Sequence, residues 1–462
     1  MRLLHTADWH LGRTLCGASL LEEQAYLLDQ LADIVGQEGV EAVLLAGDVY
    51  DRAVPPPEAV RLLDDTLCRL VLGLEVPVIV VAGNHDSPER LSFGARLLAG
   101  RRLHVRGAFH PAARPVVLED AHGPVHILPL PYLEPATAQE VLGNGDLQVL
   151  GNGDLRDHDS AVRAAAEALK AASREAATGA GSGAWPDGLF TVGPRTVLVA
   201  HAFVAGGQAS ESERPLSVGG AGTVEASALE GFTYVALGHL HRPQRVAGAA
   251  HMRYAGSLYA YSFTEDDHDK SVTLVELGRD GPPEVRIVPL RPRRRVRRIE
   301  GTLAGLLGEV GREGPPLPPG PSEDYLMVTL LDRGPVFDAI GRLRRVYPNV
   351  LHVARPWLGA GVVSGSSGAE AFAEAAAATA AERGSEIASG LDRRRLSDLD
   401  LLRSFFRDVV GEPPSPEEEA AYAEAATQVE LREREAATAA PDERSPGGGA
   451  PPDQPDGKES PT

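Results

Sequence analysis

Over the first hundred residues, short apolar runs alternate with longer stretches of helical periodicity. Leu3-Leu4 leads into the polar Thr6-Ala7-Asp8, and a helical pattern covers 22–36. Ala42-Val43-Leu44-Leu45-Ala46 runs into Gly47-Asp48, and a second helical pattern covers 57–72. Val76-Pro77-Val78-Ile79-Val80-Val81 then ends at Gly83-Asn84. Continuous apolar runs of this length, separated by helices, predict βαβ units and a mostly parallel sheet buried on both faces. In such sheets functional groups gather beyond the carboxyl ends of the strands, and each polar cluster falls there.

The rhythm breaks between 136 and 195. Val-Leu-Gly-Asn-Gly-Asp-Leu occurs at 141–147 and again at 149–155, followed by an Ala-rich helical pattern at about 160–177. Two copies of a seven-residue unit cannot stack into a core, so 136–195 reads as a variable surface insertion. Strand patterns resume at 196–200, 233–237 and 271–275. The run Arg291-Pro292-Arg293-Arg294-Arg295-Val296-Arg297-Arg298 marks a boundary. Beyond it a strand at 325–330, a helix at 336–346 and a strand at 349–354 form a small α+β unit spanning 291–360. Residues 361–390 are Ala/Gly/Ser-rich and read as a linker. A helical hairpin is predicted over 391–437. Leu401, Leu402, Phe405, Phe406, Val409 and Val410 make one apolar stripe, and Ser415-Pro416-Glu417-Glu418 supplies an N-cap with a capping-box Glu. The tail 438–462 has the composition of disorder.

Composition adjusts this picture little. The 462 residues carry 45 Lys+Arg against 65 Asp+Glu, a formal charge of -20. Such acidity excludes coating nucleic acid through bulk positive charge. Residues 361–462 alone hold 21 acidic and 10 basic side chains, so more than half of the excess belongs to the tail and hairpin. Cys16 and Cys68 cannot build a disulfide framework and suit a reducing compartment, where both read as small buried thiols. No apolar run is long enough to cross a bilayer, and the expected location is the cytoplasm.

The chemistry lies in five clusters at strand ends: Asp8-Trp9-His10, Gly47-Asp48-Val49-Tyr50-Asp51, Gly83-Asn84-His85-Asp86, Ala200-His201 and Gly238-His239-Leu240-His241. Asp8/His10 and His239/His241 stand at i, i+2, so extended backbone would turn both members of each pair to one side. Carboxylate and imidazole donors suit Mn²⁺, Fe²⁺ or Zn²⁺, and the absence of Cys argues against a structural zinc site. One D-x-H or H-x-H arises often by chance. Five clusters in this order, each after a predicted strand, do not.

In these motifs the sequence resembles the calcineurin-like metallophosphoesterase superfamily, with its ordered D-x-H, G-D-x-x-D, G-N-H-[DE], H and G-H-x-H. Ala200–Val204, Ser210–Arg214, Val218–Gly220, Tyr234–Gln244, Arg253–Ser257, Tyr261–Phe263, Glu265 and Lys270–Val272 narrow the likeness to the SbcCD nuclease family. The resemblance covers most of 1–290. It implies a β-sandwich flanked by helices, with a small α+β capping domain and a C-terminal helical hairpin. It implies a metal-dependent phosphodiesterase acting on DNA as double-strand exonuclease and single-strand or hairpin endonuclease, in repair and recombination. Asp8, His10, Asp48 and His241 would hold one ion. Asp48, Asn84, His201 and His239 would hold a second, Mn²⁺ being the expected metal. A shared carboxylate fixes two such ions about 3.5–4 Å apart, the spacing that clamps a phosphoryl group. His85 would stabilise the transition state or protonate the leaving oxygen, oriented by Asp51 or by Asp86. Arg52 would contact phosphate. The remaining histidines match no motif and read as structural or surface residues.

No Gly-x-x-x-x-Gly-Lys-[Ser/Thr] occurs, so the family's ATPase would be a separate SMC-like subunit (SbcC), joined in a heterotetramer with a homodimer of this chain. The Leu401–Val410 stripe would dock that partner or pack on its own domain. The six Arg of 291–298 would follow a DNA backbone or form a solvated linker. Two other readings share the motifs: a small-molecule phosphodiesterase or phosphomonoesterase of the superfamily, and a non-catalytic scaffold of a repair ATPase.

Overall fold

The apolar runs become interior strands of two sheets. The computed structural model describes residues 1–356 except 111–113, 144–154, 179–194, 214–221, 247, 309–322 and 333–335, and then 403, 413–416 and 418–422. In the first sheet Arg2–Thr6, Ala42–Ala46, Val78–Val81 and Leu103–Arg106 run parallel, in that order. Ser271–Glu276 and Glu284–Pro289 extend it antiparallel on the other side of Arg2–Thr6. In the second sheet Met252–Tyr254, Tyr234–Gly238, Arg195–His201 and Gly123–Leu130 run parallel, edged by antiparallel Gln244–Arg245 and Val116–Asp120. The parallel character expected from the sequence thus holds at the centre of each sheet and gives way at the margins.

Alternation along each strand divides its side chains between two cores. Leu3, Leu44 and Ile79 meet Ile127, Val199 and Ala236 between the sheets. Leu4, Val43, Leu45 and Val80 face outward and pack on Leu27, Leu31 and Val35 of the helix Leu21–Gln37. Each such fully buried Leu or Val contributes about 1.5–3 kcal/mol. On the far side, Leu128, Leu198 and Val235 are covered by the helix His158–Thr178.

Within 136–195, expected to be a surface insertion, that helix is not on the surface. Ala161, Ala164, Ala165, Ala166 and Leu169 are buried against the second sheet. A stripe of alanines reads as weakly hydrophobic, yet small side chains let a helix approach a sheet closely. The tandem repeat lies largely outside the described residues.

Residues 296–354 form a three-stranded parallel sheet, Val296–Gly301, Tyr325–Leu330 and Val350–Ala354, with helices Leu303–Leu306 and Ala339–Arg344. Ile299, Leu326, Val328, Leu343 and Tyr347 make its own core. The arginine run leads into its first strand. Arg293 and Arg294 pair with Glu23, at 3.6 and 2.9 Å, and Arg297 with Asp324 at 3.0 Å. Arg298 binds Asp266 through two hydrogen bonds, at 2.9 and 2.7 Å. Four of the six guanidiniums are therefore engaged by carboxylates of this chain.

The apolar stripe and most of the predicted hairpin lie outside the described residues. Where 413–422 is described, Ser415 and Glu418 exchange the reciprocal bonds of a capping box, at 2.7 and 3.3 Å. Cys16 and Cys68 are both exposed, contrary to the buried thiols expected. Cys16 sits in a tight turn at φ 48°, and Cys68 ends the helix Pro57–Cys68. Among the described residues no helix is long and apolar enough to cross a membrane.

Candidate metal centre

The parallel strands of both sheets finish along one edge, and the polar clusters follow. Asp8 and His10 come after Arg2–Thr6, Asp48 after Ala42–Ala46, and Asn84 and His85 after Val78–Val81. From the second sheet, His201 closes Arg195–His201 and His239 and His241 follow Tyr234–Gly238. The loops hold one another by backbone bonds: Asp8 N–H to Gly47 O at 3.0 Å and His10 N–H to Asp48 O at 2.9 Å. The His239 N–H reaches across from the second sheet to the Asp8 carboxylate at 2.9 Å. Gly83 permits this closeness, since a Cβ there would lie 2.1 Å from Asp48 Oδ1. Gly47, at φ +93°, would meet the His201 ring at 2.2 Å.

The i, i+2 argument fails in detail. Asp8, His10, Asp48 and His239 have φ of 53°, 44°, 48° and 109°, so these segments are not extended. Left-handed backbone at four non-glycine residues costs about 1–3 kcal/mol each and persists where the surroundings over-determine it. The side chains converge because the loops turn sharply.

They converge as two touching groups. Asp8, His10 and His241 offer ligand atoms within 4.8 Å of one another, and so do Asp8, Asp48 and His201. Asp48 Oδ2 lies 3.6 Å from His10 Nε2 and 3.5 Å from His201 Nε2, between the two. Asn84 Oδ1 faces His201 Nε2 at 2.9 Å and His239 Nδ1 at 3.3 Å. All seven residues predicted as ligands therefore meet in one site, with Asp48 in the middle.

The chemistry of this set fits cations. His241 Nδ1 is engaged by Ser212 Oγ at 2.6 Å and His201 Nδ1 by the Ala46 carbonyl at 2.9 Å, which leaves lone pairs on both Nε2 atoms. His241 Nε2 then faces His10 Nε2 at 3.1 Å, and His201 Nε2 faces a carbonyl oxygen. His10 Nδ1 is buried without a hydrogen-bond partner. Burial, then the adjoining Asp48, pushes the Asp8 carboxyl well above its usual range. Burial, then His241, pushes His10 well below its own, and burial lowers His201 and His239 likewise. Carboxylate oxygens and imidazole nitrogens crowded together in this way, with the carboxylates held from behind by donors such as the His239 N–H, suit divalent cations.

His85 stands at the rim. Its backbone N–H donates to Asp48 Oδ1 at 2.9 Å, and its Nε2 lies 4.0 Å from Asp48 Oδ2. The group that orients its ring is not the expected carboxylate. His85 Nδ1 meets the backbone carbonyl of Asp51 at 2.8 Å, whereas the Asp51 side chain accepts from Arg13 at 3.1 Å. Asp86 has a different task. It accepts the N–H groups of Val49, Tyr50 and Gly83 at 3.1, 2.9 and 2.9 Å, tying two loops together. Burial and then Asp48 raise its pKa to about 7. Arg52 is 58% exposed, with its guanidinium 3.8 Å from Asp51.

Residues that sequence reasoning left without a role stand behind the predicted ligands. Gln24 donates to the carbonyls of Trp9 and His10 at 3.0 and 2.8 Å. Glu213 accepts the His241 N–H at 2.6 Å. Glu265 is buried beside His241 and Lys270; although burial opposes its charge, Lys270 and then His241 hold its carboxyl far below the usual range. One signal was available: a chain with three lysines among its 45 basic residues places one of them at 270, five residues after an acid.

The calcineurin-like phosphoesterase family matches residues 1–243, more than half of the chain. The chain belongs to that family. Its fold implies divalent metal ions, and the described residues provide groups able to hold them. A second family, the Type 5 capsule protein repressor C-terminal domain, matches residues 292–410. The SbcD subunit of the nuclease SbcCD from Bacillus subtilis is 41% identical over 281 residues, 60% of this chain and 66% of that protein, just under two thirds of its length. The protein of the same name from Staphylococcus saprophyticus is 32% identical over 351 residues, 76% of this chain and 84% of its own. Among solved structures, a dimetal phosphatase from Danio rerio is 14% identical, with a TM-score of 0.32, over 63% of this chain and 99% of its own.

Proposed function

We propose that this chain is the nuclease subunit of an SbcCD-type complex, hydrolysing DNA phosphodiester bonds at a two-metal centre. The observation that carries the reading is the convergence of seven N/O donor residues from both sheets, Asp48 at their centre, in a chain 32% identical over 351 residues to an SbcD subunit of the nuclease SbcCD. Asp8, His10, Asp48 and His241 would hold one ion, and Asp48, Asn84, His201 and His239 the other; the donor set suits Mn²⁺, Fe²⁺ or Zn²⁺, and manganese is the metal proposed from the family resemblance. When bound, such ions lower the pKa of water and polarise a phosphoryl group.

The remaining work falls to the chain itself. Gly47, Gly83 and Asp86 hold the loops so that the ligands need no rearrangement. The Asp51 carbonyl accepts Nδ1–H of His85 and leaves Nε2 on the Asp48 side; the imidazolium form carries a proton there, hands it to the departing oxygen and is left as the neutral ring. Arg52, exposed beside Asp51, is free to swing onto a substrate phosphate. An SMC-like ATPase subunit is the proposed partner, through 391–437. Pairing of two copies is supported by Phe93 and Leu97, 87% and 83% exposed on the segment after His85. A cytoplasmic location completes the reading.

The test is incubation of the purified chain, with and without the ATPase and ATP, with Mn²⁺ and three substrates: blunt duplex, single-stranded DNA and nucleotide monoesters. Cleavage of DNA is expected. Hydrolysis confined to monoesters would move the chain to the small-molecule branch, and no hydrolysis by metal-loaded protein would leave a scaffold.

A further inference from the structure

Four imidazoles face the proposed ions, and their rear nitrogens are held differently. His201 Nδ1 leans on a backbone carbonyl, His10 Nδ1 has no hydrogen-bond partner, and His239 is reversed, with Nδ1 turned into the site toward Asn84. Among the described residues, His241 alone of the four has a carboxylate within hydrogen-bond distance behind it. Glu265 Oε1 lies 3.2 Å from Nδ1, and Ser212 Oγ, which donates to the same carboxylate oxygen, lies 2.6 Å away. The other oxygen of Glu265 receives Lys270 Nζ at 2.5 Å. Lys270 also donates to Ser257 Oγ at 2.8 Å and to the His241 carbonyl at 2.9 Å. Glu265 and Lys270 are 1% and 7% exposed, so this is a fixed assembly closed to solvent.

We infer that Glu265, with Ser212 and under the charge of Lys270, is the positioning residue of His241: it fixes the Nδ1–H tautomer and aims the Nε2 lone pair into the metal site. The inference rests on the two-metal reading above. A carboxylate acceptor makes the ring a more basic ligand and sets its angle; without it, the ring can rotate or hold its proton on the ligating nitrogen. Lys270 keeps the charge acceptable where it is buried. Its three donors are all used, on Glu265, Ser257 and the backbone of the same histidine, so the lysine ties the carboxylate to its target. The two motif strings that carry these residues, Ser210–Arg214 and the segment from Tyr261 to Lys270, thereby acquire a shared task.

Glu265→Gln alone would strand the Lys270 charge, so the informative protein is the double variant Glu265→Gln/Lys270→Met. Lys270 borders a cavity of about 400 Å³, lined by Leu258, Leu290 and Val296 as well as by Asp266, His268 and Asp269, which leaves room for the replacement side chain. Isothermal titration of the metal-free proteins with Mn²⁺ is expected to show one of two sites weakened about 10–100-fold in the variant and the other unchanged. In the wild type without metal, ¹⁵N correlation spectra are expected to place the His241 proton on Nδ1. Wild-type affinity at both sites in the double variant, or an Nε2–H tautomer in the wild type, would overturn the inference. Failure of the wild type to take up Mn²⁺ would instead defeat the two-metal reading, and the tautomer would still decide this one.

Discussion

Among the described residues, histidine is buried completely in two places, and they differ in where the ring nitrogens point. Inside the sandwich, His5 satisfies both nitrogens within the chain, Nδ1 on the Tyr234 hydroxyl at 3.0 Å and Nε2 on the Leu237 carbonyl at 3.1 Å. At the strand-end edge, a few residues along the same segment, His10 has one nitrogen against another imidazole and one without a hydrogen bond. Burial lowers the proton affinity of both rings. Burial and a shifted pKa therefore do not distinguish a structural histidine from a ligand. The satisfaction of its nitrogens does.

The strongest way to break the contrast is Asp48→Asn. This carboxylate adjoins both groups, so the variant is expected to lose metal, measured by elemental analysis, and hydrolysis to background. Full metal content would make Asp48 another satisfied acid. His85→Gln should separate chemistry from binding. Two bound ions are expected together with a loss of about 10²–10⁴-fold in kcat on DNA, the usual contribution of a general acid. Unchanged kcat would remove His85 from the mechanism.

The inner histidine predicts the reverse behaviour. His5→Gln is expected to keep metal and hydrolysis while costing about 1–3 kcal/mol, for partners left poorly satisfied. Its pH dependence has a definite sign. Burial takes the His5 pKa from 6.5 down to about 3, so only the unfolded chain is protonated between those values. The wild type is fully stabilised above 6.5 and loses that contribution as pH falls toward 3. Urea unfolding at pH 7.5 and pH 5 should show the gap between variant and wild type narrowing at the lower pH. A constant gap would mean that His5 is charged in the fold. The smallest effect is expected at His126, buried and bonded to Ser173 at 2.8 Å. His126→Asn should cost about 1 kcal/mol and leave metal content untouched.

Much of the site could be read from the sequence because parallel strands buried on both faces must be continuous apolar runs, which locates their ends. Asp8, Asp48, Asn84, His201 and His239 could be placed for that reason. What escaped depends on relations that spacing does not encode. Positive φ at Asp8 and His10 follows from loops pressing on one another. Glu265 reaches His241 across 24 residues with no periodicity, and the oriented partner of His85 is a carbonyl that every residue possesses. The buried helix His158–Thr178 hid because alanine signals a core only weakly. The arginines of 291–298 looked available because their carboxylates, Glu23, Asp266 and Asp324, lie far away in sequence or beyond the next loop.

The proposed ligands are divided between the two sheets, Asp8, His10, Asp48 and Asn84 on one and His201, His239 and His241 on the other. Ions held there would act as rivets through both halves of the sandwich, a grip the unfolded chain could not match. At a free concentration of one hundred times the dissociation constant, each independent ion would add about 2.7 kcal/mol to the folded state. Metal supply would thus set how long the protein survives proteolysis as well as how fast it cuts, and chelation would shorten its lifetime before any substrate is met.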